Sequence, residues 1–158
     1  MTTTITTFLT YDTQAEEAAQ LYTSLLGGKI IETTRYPVSG PKPEGAVMTV
    51  TFELLGQTYI ALNGGPSFTF THGFSLMVKV DTQAEVDRLW KGLLANGGKE
   101  VQCGWLVDKF GLSWQIVPRQ LIEMIGHPDR TKAGRAMEAM MGMVKIDLAK
   151  LQSAFEGK

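Results

Sequence analysis

At 158 residues, 44% hydrophobic and with a net charge of −1, the chain is long enough to bury a core without disulfide or metal staples. The balanced charge gives no reason to expect nucleic acid or an anionic membrane as a partner, and no apolar run approaches the roughly 18 residues of a membrane span. One cysteine excludes an intramolecular disulfide, and the opening MTTTITTFLTYD lacks the basic-then-apolar order of a secretory signal, so a cytoplasmic protein is expected.

The run Ile5 to Tyr11 reads as a first strand. Ala15, Ala18, Ala19, Tyr22, Leu25 and Leu26 then recur at helical spacing, which predicts a helix over 13–26. Asp12 or Thr13 supplies an N-cap, and Gly27-Gly28 supplies a left-handed stop. Three extended segments follow: Lys29 to Tyr36, Ala46 to Leu54 and Gln57 to Leu62. Pro37 to Gly45 reads as an exposed loop, and Leu55-Gly56 as a tight turn.

Beyond the connector Asn63 to Gly73, the order begins again. A strand over Phe74 to Val80 leads into Asp81-Thr82-Gln83-Ala84-Glu85, which repeats Asp12-Thr13-Gln14-Ala15-Glu16 letter for letter. Val86, Leu89, Trp90, Leu93 and Leu94 predict a matching helix over 82–96, stopped by Gly97-Gly98. The segments Lys99 to Gln102, Gly104 to Val107 and Leu112 to Val117 complete a second strand–helix–three-strand unit. Its last two strands flank Asp108-Lys109-Phe110-Gly111, a hairpin signal in which Asp108 bonds ahead to its own backbone and Gly111 takes positive φ. In the final strand Trp114 and Ile116 face one way, and Ser113, Gln115 and Val117 the other; Pro118 ends the ladder.

The tail is helical. Leu121 to Ile125 make a short turn, and His127-Pro128-Asp129 opens a longer helix. Its apolar stripe is Ala133, Ala136, Met137, Met140, Met141 and Val144. Asp147 caps a last helix carrying Leu148, Leu151 and Phe155. Five of the eight methionines fall between Met124 and Met143, a deformable surface suited to packing on the sheet or across a dimer.

The doubled unit resembles the vicinal oxygen chelate superfamily, the glyoxalase/bleomycin resistance/dioxygenase fold. The stretches CGWLVDKFGLSWQIVP (103–118), VDTQAEVDRLW (80–90) and PDRTKAGRAMEAMMGMVKIDLAKL (128–151) are similar to its PhnB-like branch, labelled as a 3-demethylubiquinone-9 3-methyltransferase domain. The resemblance implies an α+β fold: two tandem βαβββ modules form a curved eight-stranded sheet around a cleft, with a C-terminal helical tail. Residues 1–118 would then be one glyoxalase-like domain built of modules over 1–65 and 73–118, with 119–158 as its helical extension.

Where members of that superfamily bind a metal, ligands come from the first, fourth, fifth and eighth strands. Those positions fall here at Thr6, Ala61, Ser75 and Gln115, a poor donor set for a divalent ion. The expectation is a retained cleft with no metal and no cofactor. It is lined by Phe8, Ala61, Asn63, Ser75, Met77 and Gln115, with Gln115 as the main hydrogen-bonding group; equally, Gln115 and Ser75 form a satisfied polar pair within the sheet. His72 and His127 read as connector and cap residues, and Cys103 lies in no hydrolase signature. There is no Gly-x-Gly turn to hold a nucleotide-type methyl donor.

Three functions stay open. The first is a homodimeric protein binding a small molecule. The second is an enzyme: a metal-dependent lyase, isomerase or dioxygenase, or the methyl transfer in the branch's label. The third is an interaction module using the methionine-rich tail.

Overall fold

The computed structural model describes residues 2–158. The first module contains β1 (Thr7–Tyr11), α1 (Ala15–Leu26), β2 (Lys29–Arg35), β3 (Val47–Leu54) and β4 (Gln57–Asn63). The second contains β5 (Ser75–Val80), α2 (Gln83–Leu94), β6 (Lys99–Glu100), β7 (Trp105–Val107) and β8 (Ser113–Pro118). Each module forms a four-stranded sheet with the same permutation, β1-β4-β3-β2 and β5-β8-β7-β6. In both, the first strand lies parallel to the fourth and the other pairings are antiparallel. The chain divides between Phe70 and Thr71 into two compact units, and the helical tail belongs to the second.

Helix packing sets which face of each sheet is covered. On α1, Ala15, Ala18, Ala19 and Tyr22 are buried, and the small alanines let the helix approach β3 closely. The sheet residues turned toward it are Leu9, Val50, Phe52 and Ala61; Leu9 and Val50 both pair with Ala61 in the register. On α2, Val86, Leu89, Trp90 and Leu93 fill the same role against β7 and β8, whose Leu106, Trp114 and Ile116 are buried.

The letter-for-letter repeat is used differently in the two modules. In the second, the Thr82 hydroxyl accepts from the Glu85 amide, as an N-cap should. In the first, the N-cap position falls on Gln14, which makes no side-chain cap, and Asn63 Oδ1 at the end of β4 accepts the Ala15 amide instead, at 2.9 Å. The glutamines diverge too. Gln83 Nε2 donates to the Ile146 carbonyl at 2.9 Å while its Oε1 accepts the Leu148 amide at 2.8 Å, so one amide clamps the tail. Gln14 is exposed, and its side-chain oxygen accepts the neighbouring Thr13 amide. Gln83→Ala is therefore expected to lower stability by about 1–2 kcal/mol in urea denaturation, and Gln14→Ala to leave it nearly unchanged. Equal effects at the two positions would contradict this division of roles.

The tail comprises α3 (Arg119–Ile125), α4 (Arg130–Met141) and α5 (Leu148–Glu156). Asp129 and Asp147 cap α4 and α5 as the sequence suggests. The Arg135 guanidinium donates to the Ala154 and Phe155 carbonyls at the end of α5. Leu121, Met124, Ala136, Ile146 and Leu151 build a core with Val117 of β8. Between α4 and α5 the chain is tied to the second module: Cys103 and Gly104 donate their amides to the Met143 and Val144 carbonyls, both at 2.8 Å. Lys145 pairs with Asp87 at 2.8 Å, and this contact holds the Asp87 carboxyl below its ordinary pKa.

Three local expectations change. The methionine stripe of α4 is not one surface: Met140 packs on the tail core, while Met137, Met141 and Val144 are exposed, because Ala133 and Ala136 define the buried face. The second helix ends at Leu94, two residues short of the expected 96, because Asn96 and Gly97 turn left-handed at φ 64° and 120°. The second strand of that module is only Lys99–Glu100, since Cys103 and Gly104 also adopt positive φ and carry the chain toward the tail.

Candidate functional site

With one face of each sheet taken by its helix, the other face is where a ligand can be met. In the second sheet the register places Ser75 beside Ser113 and Met77 beside Gln115, with Trp105 on the far side of Gln115. These residues share the face opposite Trp114 and Ile116. Gln115 Nε2 donates to Ser75 Oγ at 3.0 Å, linking β8 to β5. Ser113 is buried, and its hydroxyl lies 3.4 Å from His72 Nδ1. Met77 is 46% exposed on the same face. The result is a short polar row of hydroxyls and one amide, bordered by a thioether and an indole.

In the first sheet the expected residues separate. Phe8 lies on the face away from α1 and is 53% exposed. Ala61 and Asn63 lie on the face toward α1, because Ala61 pairs with Leu9 and Val50, which α1 covers. Ala61 is fully buried. Asn63 is held by the scaffold: besides receiving the Ala15 amide, its Nδ2 donates to the Val47 carbonyl at 3.1 Å, and its own carbonyl accepts the Tyr36 hydroxyl at 2.6 Å. A cavity of 450 Å³ beside it is lined by Asp12, Glu16, Gln20, Tyr36 and Lys42 among others. On the opposite face, Phe8 is accompanied by Thr10, Thr49, Thr51, Ile60 and Leu62.

The positions that carry metal ligands elsewhere in the superfamily do not fit a divalent ion here. Thr6 precedes β1 and is exposed, Ala61 faces the helix, and the Gln115 amide is joined to Ser75. Among the described residues, no three of His, Cys, Asp and Glu gather closely enough to hold a metal. A nucleotide-type methyl donor finds no glycine-rich strand-to-helix turn either: Gly27-Gly28 and Gly97-Gly98 follow helices, Gly64-Gly65 leads from β4 to β5 with no helix between, and the amide at the start of α1 is taken by Asn63.

The remaining candidates have local partners. His127 Nδ1 accepts the Asp129 amide, and its ring meets Phe155 edge-on at 5.2 Å. Cys103 is half-buried where the tail is tied down. Sequence reasoning did not single out Ser113 as a site residue; its place on the Gln115 face was the available signal.

A doubled βαβββ unit with this strand order defines the glyoxalase/bleomycin resistance/dioxygenase, or vicinal oxygen chelate, fold. The chain belongs to the family described as 3-demethylubiquinone-9 3-methyltransferase, whose sequence profile matches residues 3–117. It is similar to a PhnB protein of Bacillus cereus, provisionally assigned as a 3-demethylubiquinone-9 3-methyltransferase. The two are 36% identical with a TM-score of 0.66, over 73% of this chain and 99% of that one. A Pseudomonas aeruginosa protein shares the fold at 22% identity and TM-score 0.61, over 74% of this chain and 98% of its own. So does the fosfomycin resistance protein FosX of Listeria monocytogenes, at 12% identity and TM-score 0.50, over 75% and 93%. No curated protein matches the sequence. Among the described residues, no helix is long and apolar enough to cross a membrane.

Proposed function

We propose that this PhnB-like protein binds a small organic molecule on the face of β5 and β8 turned away from α2, without a metal ion. The observation that carries the reading is the Gln115–Ser75 pair, an amide and a hydroxyl placed side by side next to Met77 and Trp105. Binding sites for small molecules combine apolar walls with a few polar groups that fix orientation. The donor set described above supports a metal-free mode. In this reading residues 1–118 act as one domain with 119–158 as its extension, Phe8 is a candidate contact on the first sheet, and Ala61 and Asn63 support the scaffold.

The methyl transfer named in the family description is the second reading, favoured by the family match alone. A homodimer completes the proposal, with the exposed Met137, Met141 and Val144 available to it; sedimentation as a 17.3 kDa species at micromolar concentration would count against it. Titration calorimetry with Zn²⁺ and Mn²⁺ tests the metal-free mode. No one-to-one binding is expected, and tight binding abolished by Gln115→Ala would overturn it.

A further inference from the structure

We propose that the Gln115–Ser75 face selects an uncharged ligand presenting a hydrogen-bond donor and acceptor side by side, such as a lactam or a hydroxy-ketone, and discriminates against carboxylates and phosphonates. This rests on the binding reading above and names the chemistry of that site. Ser75 Oγ accepts the Gln115 N–H, so the hydroxyl hydrogen is left to donate elsewhere. Gln115 Oε1 has no partner among the described residues, and it is not an enclosed atom. The pair therefore offers the Ser75 hydroxyl hydrogen and the second Gln115 N–H as donors, and the Gln115 carbonyl as its acceptor.

A ligand that accepts from the hydroxyl and donates to the carbonyl satisfies both. An ionised carboxylate or phosphonate has acceptors only, so it brings no donor for Oε1 and leaves that acceptor without a partner. Two lysines share this face, both exposed: Lys79 at the far end of β5, and Lys99 on β6, two strands from β8. No arginine fork, of the kind that recognises such anions, stands among Ser75, Met77, Trp105, Ser113 and Gln115.

The test compares three probes of similar size, 2-pyridone, benzoate and phenylphosphonate, by NMR on the full ¹⁵N-labelled chain. The Gln115 side-chain amide and the Ser75 backbone amide serve as reporters. The expected result is that 2-pyridone shifts both, with a Kd about tenfold lower than either anion, one hydrogen bond's difference. Gln115→Leu, which removes the acceptor that the lactam N–H needs, should abolish that preference, read at the Ser75 amide, while the backbone spectrum stays folded. Tighter binding of an anion, with the Gln115 resonance shifting, would overturn the ligand class and leave the binding face standing. Shifts at neither reporter with any probe would overturn the binding reading itself.

Discussion

Asp108→Ala is expected to destabilise the protein by about 3–5 kcal/mol, measured by urea denaturation followed through tryptophan fluorescence. Asp108 is 2% exposed. One carboxylate oxygen accepts the Phe110 and Leu112 amides at 2.9 and 3.0 Å, and the other accepts the Trp114 indole N–H at 2.9 Å. The same side chain thus closes the β7–β8 turn and anchors the largest fully buried residue of the second sheet. Truncation leaves these donors without that acceptor, and a buried donor without a partner costs about 1–3 kcal/mol. Asp108→Asn keeps an oxygen for the two backbone amides but turns an NH₂ toward the indole N–H, so roughly half the loss is expected. A loss below about 1 kcal/mol for the alanine variant would show that the turn does not depend on this carboxylate.

Gly28→Ala is the second large effect expected, about 3 kcal/mol or more, at the upper end of what overpacking costs. A Cβ at Gly28 would lie 1.9 Å from the Glu53 carbonyl oxygen and 3.0 Å from its carbon, so backbone has to move. The preceding Gly27 is different. It is the left-handed C-cap of α1 at φ 73°, with open space where a Cβ would stand, so Gly27→Ala should cost only the left-handed strain of about 1–2 kcal/mol. Thermal unfolding of the two variants side by side should rank Gly28→Ala well below Gly27→Ala. The reverse order would mean that the β2–β3 end yields easily.

That pair shows what the sequence can and cannot tell. Two adjacent glycines after an apolar helical run announce a stop; α1 stops there, and α2 stops three residues earlier, at Leu94. The letters do not say that the first glycine is needed for its φ and the second for the closeness of another backbone, since only tertiary structure brings Glu53 to Gly28. Likewise in the second module, Gly97 has the positive φ while a Cβ on Gly98 would meet Leu94 backbone at 2.6 Å.

The candidate site was legible where one face of a strand is clearly apolar. On β8, Trp114 and Ile116 fix the covered face, so the placement of Gln115 with Ser75 and Met77 followed from alternation. On β4 it failed: Tyr59, Ile60, Ala61 and Leu62 are a continuous run of apolar and aromatic residues, so both faces look alike and period two has nothing to grip. The register with Leu9 and Val50 decides it, sending Ala61 to the helix. Asn63 was legible as a polar residue at a strand end but not as the cap of α1, because its partner lies 48 residues away.

Native mass spectrometry of the protein taken gently from cells tests the central proposal most directly, comparing wild type with Gln115→Leu. The expected result is a small molecule retained by the wild-type protein and lost from the variant, with no metal mass and little change in melting temperature. A variant that keeps the molecule but melts at a clearly different temperature would contradict it, assigning Gln115 to the scaffold.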